Sequence, residues 1–190
     1  PSGQGHETSF AQVVADILGQ PIENVEIVLG DTDIVSVGGG SHSGRSMRHA
    51  GTVMLMTSQE LIEEGRKRAA ELFDMSMEQV EFDEGQFLIP DTNHVISLVE
   101  LAESDPDTPL AAAKTNEMHD PVFPNGTASC EVEIDPETGH TTITRYTTVD
   151  DVGRCINPMI VHGQTHGGIA QGVGQAMWEE CYVEPDSGQP

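Results

Sequence analysis

The chain has 190 residues, enough for one large domain or two small layered ones around a real core. Its 32 acidic residues oppose only 8 basic ones, for a formal charge of -24. That balance excludes a surface that tracks nucleic-acid phosphates and disfavours anionic membranes.

The first predicted element is a helix over 10–18, where Phe10, Val13, Val14, Ile17 and Leu18 form an amphipathic stripe. Thr8 or Ser9 is placed to cap it, and Gly19 with Pro21 to end it. Alternating apolar and acidic residues over 25–29 predict a short strand. A long loop over 30–44 follows, in which Gly38, Gly39 and Gly40 leave the backbone free to approach a ligand. A helix is expected over about 46–73, with Met47, Ala50, Met54, Leu61 and Ala69 inside and Gly51 and Gly65 as weak points that allow a bend. Residues 80–82 and 87–89 flank Asp83-Glu84-Gly85-Gln86, a hairpin signal. A short helix over 97–102 and turn-rich loops over 104–109 and 119–124 come next.

The clearest hairpin is further on. Ala128, Cys130, Val132 and Ile134 alternate with polar residues, 135–139 is a tight turn, and 141–149 is the second strand. Residues 150–154 leave it as a loop. Asn157-Pro158 then opens a helix expected to reach about Tyr182, with proline in its first turn. Gly167, Gly168, Gly172 and Gly174 weaken that helix unless something packs closely on it. Strands and helices mix without strict alternation, which predicts an α+β fold with a possible subdivision into 1–120 and 121–190.

Cys130, Cys155 and Cys181 lack the short spacing of a zinc or redox motif and read as reduced core residues of a cytoplasmic protein. No apolar run approaches the ~20 residues of a membrane span, and no signal peptide opens the chain. The acidic surface, with Lys67 and Lys114 as its lysines, suits a salt-loving source: at about 1 M salt the Debye length falls to roughly 3 Å. Residues 1–6 and 186–190 read as cut turns, so the chain is expected to be a piece of a longer polypeptide.

Three segments share one chemistry. Gly3-Gln4-Gly5-His6-Glu7-Thr8, the 38–46 loop and the 151–157 loop each precede a predicted helix. Helix starts carry unpaired N–H donors and a partial positive charge, which suits phosphate or pyrophosphate. Arg45 and Arg154 lie in two of these loops.

These segments also resemble known motifs. Residues 3–8 with Phe10-Ala11-Gln12-Val13, then Gly30-Asp31-Thr32-Asp33 with 40–46, then 149–153 with Ile156-Asn157-Pro158-Met159, then the Gly/Gln-rich stretch 163–176, follow the order of motifs in the large subunit of the molybdenum hydroxylase family. That family includes xanthine dehydrogenase, aldehyde oxidase and aerobic carbon monoxide dehydrogenase, and the wording looks closest to the last. The resemblance implies a molybdenum-cofactor-binding domain fragment from the C-terminal region of the subunit, with mixed sheets and packed helices. It implies molybdopterin carrying molybdenum, in the cytosine dinucleotide form. It also implies hydroxylation of aldehydes or purines, or oxidation of carbon monoxide, with water as oxygen source. Iron–sulfur and flavin subunits or domains are the implied redox partners.

Carried over by residue, Gln4 would bond near the molybdenum oxo groups or the pterin, and Gly5, His6 and Thr8 would hold the pyrophosphate. Gly44, Arg45 and Ser46 would donate to pterin and phosphate, Asp151 and Asn157 would face the nucleotide, and Gln171 the pterin. The family's catalytic Glu, in a Gly-Val-Gly-Glu-Ala-Gly-like segment, would lie beyond Pro190, so no catalytic residue is expected here and the isolated chain should be inactive. Cys155 and Val152 depart from the family pattern.

Two alternatives compete. His162 and His166 stand four apart, as in a helical zinc site with Glu179 or Glu180 as third ligand, although Gly163 occupies the position of a zinc protease's base. The other is a non-catalytic ligand-binding domain. His42, His49, His94, His119 and His140 are scattered and read as surface residues.

Overall fold

The computed structural model describes residues 3–35 and 38–190. It forms two compact units, one from Pro1–Asn116 with Ile156–Pro190 and one from Glu117–Cys155. Residues from 156 onward thus belong with the first unit.

In the first unit, α1 spans His6–Leu18 and α2 spans Arg45–Phe73. The helix α1 starts four residues earlier than its apolar stripe predicts. Gly5 is its N-cap, and neither Thr8 nor Ser9 fills that role. Ser9 instead donates from both backbone N–H and hydroxyl to the Gly5 carbonyl. The strand expected over 25–29 does not form, because the short 3-10 turn Ile22–Asn24 is followed by extended chain with no partner strand.

The small sheet pairs β1 (Glu81–Asp83), β2 (Gln86–Leu88) and β3 (Val95–Ser97), all antiparallel. β3 is too short to show a period of its own, so only its partner reveals it. It runs directly into α3 (Leu98–Glu103), where Ser97 and Glu100 form a reciprocal capping box. Helices and small sheets together make the α+β fold that was expected, and every strand pairing among the described residues is antiparallel.

The core sits between the second half of α2 and this sheet. Leu18, Ala69, Ala70, Val80, Phe87, Ile89, Leu98 and Leu101 are buried together. Phe87 is fully buried, a burial worth about 1.5–3 kcal/mol. Its ring lies where a side chain at residue 65 would be, so a Cβ there would overlap the aromatic carbons. Gly65, a weak point by helix propensity, is the residue that lets the ring reach the helix backbone. Three cations fasten loops to α2. Arg66 donates to the carbonyls of Val80 (2.7 Å) and Met77 (3.1 Å), Arg68 to those of Thr108 (2.6 Å) and Pro109 (3.0 Å), and Lys114 pairs with Glu60 at 3.0 Å.

The helix α4 spans Pro158–Met177 and stops short of the expected Tyr182, with Trp178 leaving helical geometry. It has no buried residue, and no atom of the other described residues lies within 4 Å of a side chain built at Gly163, Gly167, Gly168 or Gly172.

The second unit is a hairpin of β4 (Asn125–Ile134) and β5 (Thr141–Asp151), two residues longer than predicted at its end. Glu131 pairs with Arg145 and Val132 with Ile143, so Thr144 is bulged. Residues three apart on a strand normally face opposite ways. The bulge lets Ile143 and Tyr146 share the face of Val132 and Cys130. Cys130, Cys155 and Cys181 are all exposed, against the expectation of core residues: Cys130 lies on the open hairpin and the other two in loops.

Candidate cofactor site

Two helices begin on a left-handed glycine. Gly5 has φ 71° and ψ 25°, and Gly44 has φ 68° and ψ 7°. Neither glycine offers a side-chain acceptor to the amides of its helix, whereas α3 and α4 are capped by Ser97 and Asn157. The starts of α1 and α2 therefore present backbone donors and the positive end of the helix dipole. That is an anion-binding arrangement that needs no lysine or arginine.

The third expected helix start is different. The Asn157 Oδ1 accepts from the Ile160 N–H at 3.2 Å, Pro158 has no N–H, and the Val161 N–H reaches the Asn157 carbonyl at 3.1 Å. Few donors remain there for a ligand. Asn157 also donates through Nδ2 to Gln12 Oε1 at 2.9 Å, so both ends of its amide are engaged within the protein. Asp151 belongs to the second unit, where its Oδ1 accepts from the Gly153 N–H at 3.0 Å in a tight turn.

Around α2 the loop closes on itself. Arg45 donates through Nη2 to the carbonyls of Gly39 and Gly40, and Ser46 bonds Ser41 hydroxyl to hydroxyl at 2.6 Å. Arg45 thus shapes the glycine loop. With Arg66, Arg68 and Lys114 fastening loops and Arg145 beside Glu131, most of the few cations are committed to protein oxygens.

Near α1, Gln4 and Gly5 are half-buried and Thr8 is exposed. His6 is 8% exposed and stacks flat on Phe10, with ring centroids 4.8 Å apart. Burial lowers its pKa below the usual histidine value, which favours the neutral ring. Its Nδ1 is buried with no hydrogen-bond partner among the described residues, an orphaned polar atom beside the open helix start. Gln171 is exposed on α4. It lies about 16 Å along the helix axis from Ile160, the residue that touches Gly5, at a rise of roughly 1.5 Å per residue. Only an extended ligand could meet both. Gln12 and Ile160 were not singled out as site residues; Gln12 stood inside a quoted motif, but nothing local marks either one.

The carboxylates with shifted pKa are structural. Glu78 is held below its ordinary value by its own backbone N–H and the Ser76 hydroxyl, Glu100 by the Ser97 hydroxyl and N–H, and Asp135 by the turn amides of Glu137 and Thr138 with the Thr138 hydroxyl. All three are exposed groups that close turns or caps. Among the described residues no three His, Cys, Asp or Glu side chains come together to hold a metal ion. His162 and His166 therefore lack the third ligand that the zinc-hydrolase alternative needs. No helix among the described residues is long and apolar enough to cross a membrane.

A long, anionic, hydrogen-bond-rich cofactor fits two open helix starts, with an orphaned imidazole nitrogen beside one of them. Comparison with known proteins agrees: the chain belongs to the molybdopterin cofactor-binding domain family, whose model matches residues 1–190. It is 36% identical, over 99% of its length, to the 6-hydroxypseudooxynicotine dehydrogenase complex subunit gamma of Paenarthrobacter nicotinovorans. It is 31% identical, over 94% of its length, to the carbon monoxide dehydrogenase large chain of Hydrogenophaga pseudoflava. A crystal structure of Cu,Mo-CO dehydrogenase in its carbon monoxide reduced state superposes with a TM-score of 0.84 at 29% identity, covering 97% of this chain and 24% of that one. The chain spans about a quarter of the length of these relatives, which make up 25% and 23% coverage in the two sequences.

Proposed function

We propose that this chain supplies one wall of the cofactor site in a molybdenum hydroxylase-type oxidoreductase, and that it holds molybdopterin as the cytosine dinucleotide. The paired left-handed glycine starts of α1 and α2 carry this reading. In a chain of charge -24 whose cations are mostly committed, backbone amides are the donors left for a pyrophosphate. The amides at Gly5, His6 and Thr8 and those at Gly44 and Ser46 would hold the anionic linker. Arg45 holds the glycine loop in shape through the Gly39 and Gly40 carbonyls, and Gln4 and Gln171 offer side-chain amides to the pterin. The neutral His6 ring, wedged on Phe10, holds the first turn of α1 and keeps water from it.

When bound, the molybdenum–pterin group supplies two-electron redox chemistry with water as oxygen source. The substrate is a small aldehyde, a purine-type heterocycle or carbon monoxide, and the electrons pass to iron–sulfur and flavin subunits. This reading assigns no catalytic base to these residues; Glu78, Glu100 and Asp135, whose pKa values are lowered, close turns and caps. The acidic surface is adapted to concentrated salt in the cytoplasm.

The test is to purify the complete subunit that contains this chain, and to measure molybdenum by metal analysis and cytidine monophosphate after acid release. Stoichiometric amounts of both are expected, with no turnover by the isolated chain on aldehydes, purines or carbon monoxide. A subunit isolated without molybdenum overturns the assignment, and a different nucleotide overturns the cytosine form alone.

A further inference from the structure

We infer that Gln12, Asn157 and Ile160 form a clamp by which α4 sets the cofactor-binding turn of α1, so that they are positioning residues rather than ligand contacts. This rests on the cofactor reading above. Three observations meet at one place. Asn157 is locked twice, accepting from the Ile160 N–H and donating to Gln12 on α1 at 2.9 Å. The two residues are 145 apart in sequence, so the bond exists only because the chain returns to α1. The Ile160 side chain then rests on Gly5, its Cδ1 lying 2.9 Å and its Cγ atoms 3.1 Å from where a Cβ would stand. Gly5 is the residue whose left-handed backbone aims the α1 amides outward.

The physical consequence is direct. A left-handed residue at a helix start is held by its surroundings; among the described residues the atoms nearest the Gly5 Cβ position are those of Ile160 on α4, and a hydrogen bond ties α4 to α1. Gln12 and Asn157 share a half-buried bond whose loss leaves an amide unpaired. With the bond gone, Ile160 can leave Gly5, and the turn samples conformations in which the amides of residues 6–8 no longer converge. A pre-organised anion site then becomes one that must be ordered on binding.

The test uses the complete holoenzyme and three variants. Gln12→Met keeps the size and removes the acceptor, Gln12→Glu restores an acceptor, and Ile89→Val weakens the distant core at a position away from the clamp. Cofactor loss is followed by fluorescence of the released pterin, and amide exchange at residues 6–9 is measured in the cofactor-free subunit. Gln12→Met should release pterin about fivefold to tenfold faster, the effect of one lost hydrogen bond, with matching faster exchange at residues 6–9. Gln12→Glu should be near wild type, and Ile89→Val should leave both readouts unchanged. Unchanged release and exchange in Gln12→Met, or equal changes in Ile89→Val, would overturn the clamp. A wild-type enzyme without pterin would instead overturn the cofactor reading, so the two failures are separable.

Discussion

The two ends of α2 use glycine in opposite ways. At Gly65 the space left by the missing side chain is filled by the Phe87 ring, while at Gly44 no atom of the described residues lies within 4 Å of the corresponding position. The first end converts sequence into packing: small residues at 65, 69 and 70 let a helix, a three-stranded sheet and α3 close around one aromatic ring. The second end leaves polar backbone open. A soluble domain normally caps such amides, as Ser97 and Asn157 do for α3 and α4. An uncapped start sacrifices stability unless a ligand supplies the missing acceptors. The contrast separates what keeps the chain folded from what it is folded for.

The strongest way to break this comparison is at the packed end. Phe87→Ala should cost about 3–5 kcal/mol in denaturant unfolding. Gly65→Ala should cost about 1–3 kcal/mol by overpacking. In the Phe87→Ala background the same substitution should become stabilising by up to about 1 kcal/mol, because alanine is the better helix former once the ring is gone. If Gly65→Ala behaves identically in both backgrounds, the ring is not the reason for the glycine.

The open ends should respond less, and unequally. Gly44→Ala places an L side chain in left-handed backbone with free space around it, a cost of about 1–2 kcal/mol. Gly5→Ala carries the same backbone cost plus the contact with Ile160, so it should be worse by about 1 kcal/mol, and Ile160→Val should recover part of the difference. Equal losses at Gly5 and Gly44 would show that Ile160 does not press on the turn.

The smallest effect comes from salt, which distinguishes surface repulsion from packing. Molar potassium chloride should raise the thermal midpoint by a few degrees, at roughly 2–4 °C per kcal/mol of relieved repulsion. The cost of Phe87→Ala should be the same in dilute and molar salt. A midpoint that stays flat or falls would count against a salt-adapted surface.

Much of the architecture could be read from local pattern. The α2 helix was expected over about 46–73 and spans Arg45–Phe73, and the glycine at 19 ends α1 as its position implied. The first hairpin follows from its turn residues, although Asp83 and Gln86 join the strands, and the second from alternation around its turn. The failures are equally physical. Residues 25–29 have strand character but no neighbour to pair with, and β3 has too few residues to show a period. The α1 start was misplaced because glycine in left-handed backbone replaced the hydroxyl cap that the pattern suggested.

The sequence by itself determined the acidic surface, the order of the four motifs and the presence of glycine before α1 and α2, since charge, motif order and residue type need no partner. Only the tertiary structure decided how those glycines are used. Whether a glycine is filled by a ring, pressed by an isoleucine or left open depends on residues distant in the chain: Phe87 for Gly65, Ile160 for Gly5 and none of the described residues for Gly44. The same holds for Asn157, whose amide bonds Gln12 because α4 returns to α1, a pairing that no local pattern encodes.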